Sequence, residues 1–288
     1  MEYLMTYGWS ILVVAVVLGA LAYLGVFNPL YFAPKANPGN CQVFRPNGAG
    51  TSYDINLLGV CNGEIPEFVA EFNGNGAGIA YSSNTYITSV VPAVENANVF
   101  TVTMWVYVPN NPQGNMPFFG EGSYQALELF RGGVGSAVDQ IGLHRCNGAD
   151  TWESAIPVIS LNQWHFIAVS VNQPNYLFQI DSANSIVTNT NSWSNNDLVV
   201  MGTQTTQCDG SVFVGDISNV QIYNASLDQN SITALYQEGI GGAPIDLQNL
   251  VGWWPLNGNA NDYSGNGNNG VPTNVVYTSS WISSYNPP

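Results

Sequence analysis

The chain has 288 residues, 4 Lys+Arg against 19 Asp+Glu, a formal net charge of -15 and only 8% charged residues. So few cations leave no basic patch to neutralise phosphates, which argues against a nucleic-acid partner. The length admits one large β-domain or two small ones, and Asn, Ser, Thr, Gly and Tyr must fill the surface role that charge usually takes.

The chain opens on MEYLMTYGWSILVVAVVLGALAYLGVFNP and carries no charged side chain from Tyr3 to Pro34. A helix through this stretch has no polar face, so lipid or other apolar helices must surround it. About 24 residues at about 1.5 Å each reach roughly 36 Å, enough to cross a bilayer. A removed secretory leader is not expected, because such a leader needs a basic opening and no Lys or Arg precedes Lys35. Glu2 needs a partner in an apolar setting, and the α-amino group of a second copy is a suitable one. Ala15 and Gly19 place two small residues on one helix face, which allows close helix approach, although ordinary apolar composition produces the same spacing.

The order of Glu, aromatics and aliphatics in EYLMTYGWSILVV resembles the N-terminal helix of archaeal type IV pilins. That resemblance implies subunits that wait in the membrane and then pack these helices into a filament core. Glu2 stands nearer the first residue than the corresponding Glu of that family, so the chain starts inside the mature protein or the peptidase cut falls differently. A single-span anchor for a surface protein is the rival reading.

Asn28-Pro29 and PKANPGN (Pro34 to Asn40) should end the helix. The expected division is a helix over 1–33, a neck over 34–66 and a head over 67–288 that includes a C-terminal strand at 250–256. Cys41, Cys61, Cys146 and Cys208 form no CxxC pair, so a zinc ribbon or redox site is not indicated. An even count in an acidic chain with an apolar leader points to disulfides outside the cell. Three pairings exist, and Cys41–Cys61 with Cys146–Cys208 is favoured because the first two flank one short segment. The alternative is four buried thiols.

Beyond the neck the pattern is β. In FTVTMWVYVP, Phe100, Val102, Met104, Val106 and Val108 alternate with Thr101, Thr103, Trp105 and Tyr107, and WHFIAVSV repeats the period from Trp164. VFVGDISNVQIYN reads as two further runs. SLDQNSITALYQEG is helical, with Asp228 as cap, Gly239 as stop and Leu227, Ile232, Leu235 and Tyr236 apolar.

These segments, over roughly Phe68 to Gly239, resemble a laminin-G-like, concanavalin-A-like jelly roll, with Gly215, Ile217, Val220, Ile222 and Tyr223 on its last strand. LVGWWPLNGNANDYSGNGNNG resembles the first segment of the same family but stands at the C-terminus. The resemblance implies a mainly β fold: a long apolar N-terminal helix followed by an antiparallel β-sandwich that is circularly permuted.

No E-x-D-x-x-E triplet of a glucanase occurs, and Glu121, Glu128, Asp150 and Glu153 are scattered. Neither His144 nor His165 lies in a Ser/Asp setting that suggests a triad, and His165 reads as a half-buried strand histidine. Catalysis is not expected. Jelly rolls of this kind bind sugars, but Trp105, Trp164, Trp253 and Trp254 read as core and edge rather than as stacking platforms. Asn259, Asn261, Asp262 and Asn266 offer oxygens of the kind calcium prefers, and they are equally what a β-turn requires. No other cofactor is implied. Asn224-Ala225-Ser226 is an N-glycosylation sequon, by design or by chance.

The expected function is a structural subunit of an archaeal extracellular filament resembling a type IV pilus. Its partners are copies of itself, the membrane before assembly, and a carbohydrate or other cell-surface ligand for an adhesive head. The alternative is a membrane-anchored, monomeric, lectin-like adhesin.

Overall fold

β-branched and aromatic runs pair across two sheets in the computed structural model, which describes residues 13–19, 43–44, 56–57, 65–73, 85–95, 97–109, 116–121, 125–130, 140–145, 151–190, 197–203 and 212–288. Residues 13–19 are helical and are designated α1. The strands that follow are β1 (Val43–Phe44), β2 (Asn56–Leu57), β3 (Val69–Asn73), β4 (Tyr86–Val90), β5 (Val99–Tyr107), β6 (Met116–Glu121), β7 (Gln125–Phe130), β8 (Gln140–Arg145) and β9 (Thr151–Val158). Then come β10 (Trp164–Asn172), β11 (Asn175–Ile180), β12 (Ala183–Thr188), β13 (Leu198–Met201), β14 (Val214–Tyr223), the helix α2 (Gln229–Gln237), β15 (Leu250–Trp254), β16 (Val271–Thr273) and β17 (Val276–Thr278).

One large sheet has the order β12-β11-β10-β5-β14-β3-β17, with β15 also on β14; a second runs β16-β4-β13-β6-β7-β8-β9, and β1 pairs with β2 in a separate two-stranded sheet. The fold is therefore a mainly β, antiparallel sandwich. Phe100, Val102, Met104 and Val106 of β5 meet Ile87, Phe118, Leu127 and Met201 of the opposite sheet in the principal core. The alternate residues of β5 do not face water: Thr101, Thr103 and Trp105 are at most 2% exposed. Trp105, with Trp164 and Phe166 of β10, packs under Ile232 and Leu235 of α2 and Trp281 of the C-terminal segment. Burial of each large apolar side chain stabilises the fold by about 1.5–3 kcal/mol, so the helix and tail form a second core on the sheet's outer face.

α2 forms as its sequence predicts. The Asp228 carboxylate accepts the Ser231 N–H at 2.8 Å, and Gly239 adopts φ +80 just past the last turn, a conformation a Cβ would oppose. VFVGDISNVQIYN, expected as two runs, contributes one ten-residue strand, β14, whose pairing with β5 shifts between Ser218 and Gln221. The bulge divides β14 into two docking sites. Val214–Ile217 pair with β3, and Val220–Tyr223 pair with β15.

The C-terminal strand thus closes the sandwich within its own chain, with Trp253 and Trp254 at 2% and 0% exposure. Gly252 is required there, because a Cβ would collide with the Trp254 indole. β17 lies antiparallel to β3, so the last strand of the chain flanks the first strand of this sheet, as a permuted order demands. Among the described residues no helix is long and apolar enough to cross a membrane; the N-terminal segment is described only over 13–19.

Candidate functional site

Three regions carry residues singled out by the sequence. The first is α1, whose seven described residues are all exposed. Val13, Val14, Val16, Val17 and Leu18 are 49–63% exposed, and a Cβ added at Gly19 would meet nothing within 4 Å. Aliphatic surface on both sides of the helix, Ala15 included, is exposed and has no cover from the other described residues. Glu2 and the four cysteines lie outside the described residues.

The second region is the turn after β15. Asp262 is 8% exposed and turned inward. Its Oδ1 accepts the Trp253 and Ser264 N–H groups at 2.9 and 2.8 Å; its Oδ2 accepts from the Ser264 hydroxyl and the Asn268 N–H, each at 2.9 Å. Asn259 Oδ1 accepts the Asn261 N–H at 2.9 Å. The Asn266 amide donates to the Leu250 and Val251 carbonyls at 3.1 Å. Of the oxygens considered for calcium, those of Asp262 and Asn259 are engaged by backbone and hydroxyl donors of the turn and of β15, while Asn266 uses its amide nitrogen, which is the turn role of these residues. Among the described residues no group of three or more His, Cys, Asp or Glu could hold a metal.

This knot forms one wall of a groove of about 200 Å³, with β4 and β13 opposite. Thr88, Val90, Leu198, Asn269 and Val271 line it, and none of the described lining residues is charged. Asn268, in the wall, is tied on every side: its side chain donates to the Val251 carbonyl at 2.8 Å, and its carbonyl accepts from Ser89 Oγ at 2.7 Å and Trp254 Nε1 at 3.0 Å. Sequence reasoning did not reach this groove, because β4 and the turn lie far apart in the chain.

The third region corrects an expectation. His165 does sit between a serine and an aspartate: Nδ1 is 2.7 Å from Asp181 Oδ2, and Nε2 is 3.0 Å from Ser160 Oγ. The same Nε2 lies 3.0 Å from the Ser160 carbonyl oxygen, and Asp181 Oδ1 accepts the Phe166 N–H at 2.9 Å. The order is that of a triad, but the serine belongs to the loop just before the histidine's own strand. The groove lies against the other sheet. The trio works as a clasp that ties the β9–β10 loop and the β11–β12 turn to β10.

Two further carboxylates become neighbours only in the fold. Asp216 on β14 stands directly across from Glu71 on β3. Burial, and secondarily the Glu71 charge, push the Asp216 carboxyl up to about 7. Asn224 is exposed just beyond β14, as a glycan acceptor must be. Trp105, Trp164, Trp253 and Trp254 are at most 4% exposed and offer no stacking face to solvent.

The family model of the concanavalin A-like lectin/glucanases superfamily, laminin-G type, matches residues 81–233, just over half of the chain. The chain belongs to this family. Among solved structures it is similar to a putative carbohydrate binding protein from Bacteroides ovatus, with TM-score 0.57 and 15% identity over 74% of this chain and 60% of that one. It is also similar to the heptameric SAP-like pentraxin of Limulus polyphemus, with TM-score 0.52 and 12% identity over 74% of this chain and 95% of that one. The chain spans only 60% of the length of the Bacteroides protein, and at these identities the likeness is one of fold. No curated protein matches the chain.

Proposed function

We propose that the chain is a structural subunit of an extracellular filament of the archaeal type IV pilus kind, with its N-terminal helix in the filament core and its sandwich head displayed outside. The observation that carries this reading is α1: five aliphatic side chains 49–63% exposed, on a chain whose head closes without them. Lipid covers such a helix before assembly, and copies of itself cover it afterwards. The Ala15/Gly19 face permits close packing, and Glu2 pairs with the amine of a neighbouring subunit.

The head binds carbohydrate and so makes the filament adhesive. Membership of a lectin-containing family and the likeness to a Bacteroides ovatus protein named for carbohydrate binding support this part. The extracellular setting agrees with disulfides among Cys41, Cys61, Cys146 and Cys208 and with a glycan on Asn224. A monomeric, membrane-anchored lectin-like adhesin would use the same helix as a simple anchor. Deleting Met1 to Phe27 separates the roles of the two parts: a soluble, folded, monomeric head is expected, and filaments formed by the truncated chain would overturn the reading.

A further inference from the structure

We infer that the groove between β4, β13 and the 262–270 turn is the sugar site of the head, and that it takes one neutral pyranose ring. The inference rests on the carbohydrate-binding reading above and adds the place and the chemical class.

Shape comes first. At about 200 Å³ the groove is smaller than the roughly 300–1,000 Å³ of sites that hold drug-sized ligands, which suits a single ring at a glycan end rather than a chain of them. Its two kinds of wall match the two kinds of surface on a pyranose. Val90 and Val271, at 53% and 63% exposure, offer apolar surface to the C–H face of a ring, and Leu198 continues it. Thr88 supplies a hydroxyl and Asn269 an amide at the rim. Asn269 Oδ1 accepts the Asp262 N–H at 2.9 Å, an assignment that requires oxygen there and leaves the amide NH₂ as a donor for a sugar hydroxyl.

Charge sets the class. Among the described residues that line the groove none is a cation or a carboxylate, and the chain's net charge of -15 repels anionic glycans at a distance. Rigidity supports binding as well. Asn268 is held by Asp262, Val251, Ser89 and Trp254, so the wall needs no ordering when a ligand arrives.

The test uses the full chain in detergent micelles and saturation-transfer NMR with methyl glycosides of glucose, galactose, mannose and N-acetylglucosamine. The methyl glycoside of N-acetylneuraminic acid serves as the anionic probe. At least one neutral glycoside should bind and the anionic one should not. Val271→Trp, which fills the groove from an exposed position, should weaken binding at least about tenfold with the melting temperature unchanged. Thr88→Val, which preserves shape, should weaken it by about two- to tenfold, the worth of one hydrogen bond, and carries the test should Val271→Trp fail to fold. Undiminished binding in both variants overturns the placement while leaving the sugar reading intact. Equal binding of the anionic probe overturns the chemical class. Failure of every neutral glycoside to bind removes the sugar reading on which the inference stands.

Discussion

The indole N–H of Trp253 donates to Asn219 Oδ1 at 2.8 Å, joining the C-terminal strand to the bulge of β14. The Asn219 amide also donates to the Gly242 carbonyl at 2.8 Å, and Gln221 Nε2 donates to the same Oδ1 at 3.1 Å. One side chain therefore binds the bulge, the segment after α2 and the permuted strand. Asn219 adopts φ 49, which Asn tolerates better than most residues.

Asn219→Gly isolates the polar contribution, because glycine accepts the same backbone conformation. Loss of the acceptor leaves a buried indole N–H unpaired, and the head should lose about 1–3 kcal/mol in denaturant titration. A loss indistinguishable from zero would mean that this link does not secure the closing strand.

Asp262→Asn probes the knot behind the groove. An amide replaces one oxygen by a donor, which must then face the Ser264 hydroxyl and the Asn268 N–H that the carboxylate now accepts. A cost of about 2–4 kcal/mol is expected, since two charge-assisted bonds are lost and the new amide N–H is set against the Asn268 N–H, although the Ser264 hydroxyl can turn to accept. Hydrogen exchange at Ser264 and Asn268 should quicken first. Unchanged protection there would show that the turn holds its shape without Asp262.

The pH dependence follows from Asp216. Its carboxyl is raised from 3.8 to about 7 by burial and, secondarily, by Glu71, so the folded state holds the proton more tightly than the unfolded chain does. The associated stability is fully present below pH 3.8 and is lost as the pH rises through about 7. Asp216→Asn should flatten the melting temperature across that window and raise it at neutral pH. An identical pH profile in the variant would exclude this carboxyl as the source.

Much of the head was readable because local chemistry and tertiary demand agree. The alternation in FTVTMWVYVP marked β5 and the Asp228/Gly239 punctuation marked α2, while Val251, Trp253 and Trp254 marked β15 as a core strand. The alternation misled in one respect, since Thr101 and Thr103 look solvent-facing and are instead buried, Thr101 beneath the Ala225–Leu227 segment that leads into α2. Hydroxyls can go there because partners await them: Thr101 Oγ1 donates to the Ala225 carbonyl at 2.7 Å and accepts the Leu227 N–H at 2.9 Å. What stayed hidden depends on which strands become neighbours. Asp216 and Glu71 meet only through the β14–β3 register, Asp181 reaches His165 only when β11 folds back on β10, and the groove exists only because β16 pairs with β4.

The central claim is that the apolar helix builds a filament core. Electron cryomicroscopy of surface material shed by cells that express the intact chain, with helical reconstruction, tests it most directly. The account predicts filaments whose axis is a bundle of N-terminal helices, with Val13 to Gly19 buried between subunits and the sandwich heads outermost. Single heads tethered to membrane fragments, with no filament of this chain, would contradict it.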